Sequence, residues 1–407
     1  MKLLFLFVLA FSFNAVSQIV DAGNGHALLL DENHKLWTVG RNDHGQLGVG
    51  NYMNSAVPVE IPLTNIVDIA RGYDHSMAIG QDGVVWVWGN NRFGQLGISN
   101  ENQDVLEPVD FDLKFKVKRC EGGYDHSLFL DTKGKVWAVG FNENGELGNL
   151  NNSNSVRVQP VLERDGMQLT GISTIVSVGS HSLALDSNGF VYGWGANHYG
   201  ELGHFNVSEQ NYAEKIEGLS SIVSIAAGWG HSLALDNEGD VYAWGAKPET
   251  YEITGSGKKT MFYKEIERIE GLENVEEIAC GSWHSMAIDH KGQVWTWGWN
   301  SYGMLGNGSM EHSSIPVKMY GVENACSIGG GCFQSLVIDS AGSFYSCGDN
   351  IFGQLGLGHE TRTLVVGEIQ FNDQNKAGET LLLYAIIAFV ILIFGIKFLL
   401  GITSSSK

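Results

Sequence analysis

The chain has 407 residues and a net charge of −20. That acidic balance argues against nucleic acid as a partner, because phosphate binding needs a basic face. Roughly 360 residues between two terminal apolar segments are too many for one ordinary core unless the fold is a closed repeat array.

The N-terminus reads as an export signal. Lys2 supplies a positive start, Leu3 to Phe13 is apolar except for Ser12, and Ala15-Val16-Ser17 offers the small residues of a cleavage site before Gln18. Residues 1–17 are therefore expected to be a signal peptide, with an uncleaved signal anchor as the weaker alternative.

Self-similarity dominates the next stretch, and it is sought before local structure. An anchor histidine recurs at His26, His75, His126, His181, His231 and His284, with Gln334 in the seventh place. Eleven residues after each anchor stands an aromatic (Trp37, Trp86, Trp137, Tyr192, Tyr242, Trp295, Tyr345), and fourteen after it a glycine (Gly40 through Gly348). A G-x-L-G tetrad begins nineteen residues after the anchor at Gly45, Gly94, Gly145, Gly200, Gly303 and Gly353.

Each unit reads as four short strands. A β-branched run such as Ile222-Val223-Ser224-Ile225 comes first, then an "HSLAL" segment, then "VYAWG" or "VWVWG", and after the tetrad a fourth strand such as Val317-Lys318-Met319. Between the second and third strands, an aspartate such as Asp236 can cap the turn with its side chain. Four-stranded units at a fixed period predict the blades of a propeller, whose ring closure protects the strand edges.

The stretches "GWGHSLALDNEGDVYAWG" and "GSWHSMAIDHKGQVWTWGWNSYGMLG" resemble repeats of the regulator of chromosome condensation family. The resemblance covers roughly residues 19 to 370 and implies an all-β, seven-bladed β-propeller over residues 18–371. It implies less about function, since one fold hosts many. Members include a nuclear exchange factor for the GTPase Ran, parts of ubiquitin ligases, a plant ultraviolet-light receptor and a secreted inhibitor of β-lactamase. Most hold another protein on the propeller face. The plant receptor uses several "GWRH" repeats, whereas this chain has "GWGH" once and "GYDH" twice.

The departures from the repeat are local. Blade 5 carries "KPETYEITGSGKKTMFYKE" (247–265) in place of the tetrad, blade 4 is three residues shorter before its anchor, and blade 7 has Gln334 and Cys347. The five cysteines (Cys120, Cys280, Cys326, Cys332, Cys347) are odd in number and irregular in spacing, so they read as core thiols, with a disulfide inside 326–347 as the minor alternative.

Nothing in the chain reads as catalytic. The anchor histidines are related by rotation about the ring and do not converge on one ion, so they read as buried side chains bonding backbone. The turn sequences "DNEG" and "DTKG" supply too few oxygens for calcium. No cofactor, metal site or enzyme activity is expected, and the alternatives are an enzyme with its site in the central channel or an inhibitor of another protein.

The candidate site lies in the residues one and two before each anchor, which emerge on one face of the ring. Tyr73, Tyr124, Trp229, Trp283 and Phe333 are expected to form an aromatic patch, with Asp74 and Asp125 selecting a basic or hydrogen-bond-donating partner. Glycosylation sequons stand at Asn151, Asn206 and Asn307.

At the C-terminus, a linker (372–380) leads to an apolar segment (381–402) and a short tail (403–407). A span of about 20 apolar residues crosses a bilayer. The expectation is one transmembrane helix, and hence a single-pass membrane protein with an extracytoplasmic, protein-binding propeller. Export would also exclude Ran as a partner.

Overall fold

The computed structural model describes residues 18–99, 103–205, 207–250 and 261–371. Blade 1 consists of β1 (Ile19–Ala22), β2 (His26–Leu30), β3 (Leu36–Gly40) and β4 (Ser55–Ile61), paired antiparallel in chain order. The same four-stranded sheet recurs seven times, always from consecutive strands. The fourteen-residue spacing in the sequence is the hairpin register: His26 pairs with Gly40, His231 with Gly245, and Gln334 with Gly348.

Two aromatic positions on the third strand do different work. Trp88, Trp194, Trp244 and Trp297 are fully buried. The indole nitrogens of Trp88, Trp194 and Trp244 donate to the carbonyls of Gln46, Glu146 and Glu201 in the preceding blade (2.8–2.9 Å). The aromatics two residues earlier are half-buried in six blades, with Trp37 alone buried, and are not core in the same sense. They lock the turn instead. Asp31 takes the Asn33 and Lys35 amides on Oδ1 and the Trp37 indole on Oδ2 (3.1 Å), and Asp236 treats Tyr242 the same way.

The anchor histidines are buried, but they bond a neighbouring blade rather than backbone. His75 Nε2 lies 2.9 Å from Ser127 Oγ, His181 Nε2 3.1 Å from Ser232 Oγ, and His284 Nε2 2.8 Å from Ser335 Oγ. The serine hydroxyls donate in turn to the tetrad carbonyls of Gln95, Glu201 and Met304 (2.7–2.8 Å). A hydroxyl has one proton, so each imidazole must be the donor at Nε2. His26 meets Ser76 in the same manner, with Gln46 O accepting from the hydroxyl; His126 Nε2 lies between Ser177 and Ser182 (2.9 and 3.1 Å), and His231 Nε2 lies 3.0 Å from Ser285 Oγ. Blade 7 closes the ring differently: Gln334 Nε2 donates to the His26 carbonyl (3.2 Å), and the Cys332 amide to the Gly23 carbonyl (3.1 Å). The glycine three before the anchor accommodates the ring. A Cβ on Gly72, Gly123, Gly228 or Gly281 would overlap the imidazole that follows.

All five cysteines are free, four of them buried and Cys326 exposed, so no disulfide forms within 326–347. The expected signal peptide (1–17), linker (372–380), transmembrane helix (381–402) and tail (403–407) lie outside the described residues. Among the described residues no helix is long and apolar enough to cross a membrane. The expectation of a single-pass, extracytoplasmic membrane protein is corrected accordingly: the fold class is the all-β propeller alone. Hydropathy shows that a stretch avoids water, and that does not establish a spanning helix.

Burial lowers the anchor histidines to about 3. Their contribution to stability is therefore complete above the unfolded value of about 6.5 and is lost as pH falls from there toward 3. Asp68 and Asp125, raised by burial to about 6, act in the opposite sense. One histidine is isolated by comparison with a variant. His231→Gln, patterned on Gln334, should lower stability at pH 7, yet lose about 2 kcal/mol less than the parent between pH 7 and pH 5 in urea titrations. Parallel losses in both proteins would show that His231 is not held neutral.

Candidate partner-docking face

The loops joining the first and second strands of each blade are stitched to one another by backbone hydrogen bonds. The Asn24 amide donates to Tyr73 O, Tyr73 to Gly123 O, Tyr124 to Gly179 O, Trp229 to Ser282 O, and Ser282 to Gly331 O (2.7–3.2 Å). This stitching fixes two directions. The residue two before the anchor turns to the ring axis, and the residue one before it turns outward.

The axial residues meet. Tyr73 and Tyr124 stack with centroids 4.1 Å apart, and Trp229 stands against both at 5.9 and 5.8 Å. Blade 4 lies between Tyr124 and Trp229 in the ring, and its shortened loop makes this possible. Gly179 occupies the axial place there, and a Cβ on it would sit 3.0 Å from the Trp229 ring. Tyr124 is 36% exposed, while Tyr73 and Trp229 are half-buried. Burial raises both tyrosine hydroxyls above their ordinary value, so they remain protonated donors at neutral pH.

The outward residues behave differently. Trp283 is only 3% exposed and packs with Trp229 (6.4 Å) and Tyr199 (6.0 Å). It supports the patch from beneath rather than presenting itself. Phe333 belongs to a neighbouring group with Trp299 and Tyr302 (5.8 and 5.3 Å). Asp74 is already engaged by Arg41 Nη1 at 3.1 Å. Asp125 accepts from Gln95 Nε2 (3.0 Å) and makes no ion pair among the described residues. Of the two carboxylates, Asp125 is the one left for a partner.

Sequence reasoning missed the residue just before each tetrad. Phe93, Tyr199, Tyr302 and Phe352 hold that place in four blades, and three of them border the loops already described: Tyr199 meets Trp283, Tyr302 meets Phe333, and Phe352 lies beside Gly25. Their common register was a signal in the repeat itself. The loops are held by an asparagine, as where Asn142 Oδ1 accepts the Leu147 amide and its Nδ2 donates to Asn151 O. Of the sequons, Asn151 is exposed, Asn307 is half-buried, and Asn206 lies outside the described residues.

Seven consecutive four-stranded blades, with an aromatic cluster at one end of their axis, define a repeat propeller. The chain belongs to the regulator of chromosome condensation family. The RCC1-like domain profile matches residues 157–380, more than half of the chain, and the RCC1 repeat profile matches 33–79 and 82–130. The chain is 30% identical over 306 residues to the ultraviolet-B receptor UVR8 of Arabidopsis thaliana. It is 31% identical over 316 residues to the RCC1-like G exchanging factor-like protein of Mus musculus. Each match covers 74% of this chain and 57% of the relative, so the chain spans somewhat over half of their length. Among solved structures, human WBSCR16 is similar with a TM-score of 0.72 at 23% identity, covering 83% of this chain and 95% of that one. Yeast RCC1 (Prp20), bound to Kap60, is similar with a TM-score of 0.73 at 21% identity, covering 88% and 86%.

The exclusion of Ran is corrected here. It rested on export through residues 1–17, which lie outside the described residues, and on no feature of the propeller. A further structure of this fold, Prp20p from Saccharomyces cerevisiae (TM-score 0.66, 23% identity, covering 89% and 85%), is described with its binding properties to Gsp1p and histones.

The two aromatic roles separate in a stability measurement. Trp283→Ala should cost about 3–5 kcal/mol in urea unfolding, as a buried aromatic does. Tyr124→Ala should cost about 1 kcal/mol or less. Equal losses would mean that Tyr124 is core as well.

Proposed function

We propose that the chain is a non-catalytic protein-binding propeller whose partner docks on the face carrying Tyr73, Tyr124 and Trp229. The observation that carries this reading is the contact of these three rings across three blades, at the solvent-facing end of the axis. Rings already packed against one another lose little freedom on binding, and tyrosine and tryptophan dominate the energetics of interfaces. Trp283 and Phe333 support the patch from the adjoining loops, and Asp125 supplies an unpaired acceptor at its edge.

The net charge of −20 favours a basic partner or a basic patch on one. Prp20p, of the same fold, is described as binding Gsp1p and histones, so a Ran-type GTPase and the core histones are the partners to test first.

The test is titration of the full chain with each protein by calorimetry. Tyr124→Ala and Trp229→Ala should each weaken binding by about 2 kcal/mol, roughly thirtyfold. Ile315→Ala, on an exposed outer strand 66% open to solvent, should leave affinity unchanged. If the Ile315 variant loses affinity and the two aromatic variants keep it, the docking face is elsewhere.

A further inference from the structure

Among the described residues, the central channel is stopped at one end and open at the other. Under the aromatic cap lies a cavity of about 10 Å³, bordered by Tyr73, Tyr124, Trp229 and Cys332, with room for no more than a water. Arg71 borders both that cavity and a wider cup of about 640 Å³ on the far side. Its guanidinium reaches from blade 2 to blades 1 and 7: Nη2 donates to Gly330 O (3.2 Å), and Nε lies 3.2 Å from Asp21 Oδ1. Arg71 is thus the floor of the cup, and the inner strands of all seven blades are its wall.

That wall is two-sided. Across blades 1 to 3 it is charged, with Arg71 facing Asp21 and Arg119 facing Glu121 (2.9 Å). Across blades 4 and 5 it is apolar, through Val176, Val223 and Ile225, and Val223 is 55% exposed. A volume between about 300 and 1,000 Å³, an apolar wall and a few convergent polar groups are the usual features of a small-molecule site.

The charges do not balance. The two arginines offset Asp21 and Glu121, and Glu277 is met by the Ile328 amide (3.0 Å) and the Ser327 hydroxyl (3.2 Å). Asp68 has no arginine of its own: the Ile69 and Cys120 amides and the charge of Arg119 act on its carboxylate, but its Oδ2 is buried at the wall of the cup without a hydrogen-bond donor. A buried acceptor without a donor is costly, and in a concave site it points to what the site takes. Among the described residues no set of three or more His, Cys, Asp or Glu side chains could hold a metal ion. The missing donor is then organic.

We propose that the cup binds a small organic cation with an apolar body. Its ammonium sits on the charged side, where the carboxylates of Asp21, Asp68, Glu121 and Glu277 outnumber Arg71 and Arg119, and its body lies on Val176, Val223 and Ile225. The site is at the opposite end of the channel from the aromatic face, so it stands or falls independently of partner docking.

The experiment uses the full chain at pH 7.5 and three probes of one shape: 4-phenylbutylamine, 4-phenylbutan-1-ol and 4-phenylbutyrate, followed by calorimetry or ligand-observed NMR. The amine should bind saturably with a dissociation constant of about 1 mM or tighter, as expected for a ligand of this size. The alcohol and the carboxylate should bind at least about tenfold more weakly, since only the amine brings a positive donor. Asp68→Asn should weaken the amine about tenfold. Val223→Arg, placed on the exposed apolar wall and away from Asp68, should abolish amine binding and decides the matter if the Asp68 variant does not fold. Lack of saturable amine binding would overturn the proposal. So would equal binding of the alcohol, a preference for the carboxylate, or undiminished binding to the Val223 variant.

Discussion

One buried contact organises this molecule: the imidazole Nε2–H of one blade donating to a serine hydroxyl of the next. The hydroxyl passes its own proton to a tetrad carbonyl in the histidine's own blade, as in His75 to Ser127 to Gln95. Each link therefore joins two blades through an imidazole Nε2, a hydroxyl and a carbonyl that pair in series, while Nδ1 of His26, His75, His181, His231 and His284 is buried without a partner. The arrangement dictates the residues around it. The imidazole is neutral, the residue after the anchor carries a hydroxyl in blades 2 to 7 while blade 1 has Ala27, and the residue three before must lack a side chain where the ring lies over it. Because every blade is built from consecutive strands, with none shared across the chain ends, closure depends on such contacts. Blade 7 reaches blade 1 through Gln334 and Cys332 instead.

The proposed docking face follows from the same ring. With the anchors fixed, the preceding loops are carried to one end of the axis, and their amides pair around it. What differs among blades is then only what the two loop positions hold. Tyr73, Tyr124 and Trp229 fill the axial place in three blades, while Gly179 in blade 4 clears a path between the last two. A deletion that looks like damage to the repeat is what allows the third ring to reach the other two. Among the described residues the opposite end of the channel has no such cap, and there the unequal wall leaves Asp68 Oδ2 without a donor.

Much of the fold was legible because the spacing of a β-hairpin is rigid: fourteen residues from His231 to Gly245 is the pairing itself. Asp236 capping its turn was legible from local turn chemistry. The histidine's partner was not, since Ser285 lies in the next repeat and only the ring brings it to His231. The candidate site was half legible. Repeat register places Tyr73, Trp229 and Trp283 at one end, but adjacent residues point apart, and that separates an axial Trp229 from a buried Trp283. That Arg41 would occupy Asp74 depended on a loop thirty-three residues away in the chain. The terminal apolar stretches carried expectations about a membrane that composition alone does not decide.

The tautomer and charge of the anchor histidines test the account most directly. Two-bond proton–nitrogen correlation spectra of the full chain, with the imidazoles of His26, His75, His126, His181, His231 and His284 assigned, read both at once. Six neutral rings are expected, with His26, His75, His181 and His284 protonated at Nε2, unchanged between pH 7.5 and pH 5, because burial holds them near 3. Any of those four protonated at Nδ1, or any of the six titrating near the ordinary value of about 6.5 while the protein stays folded, would contradict the account.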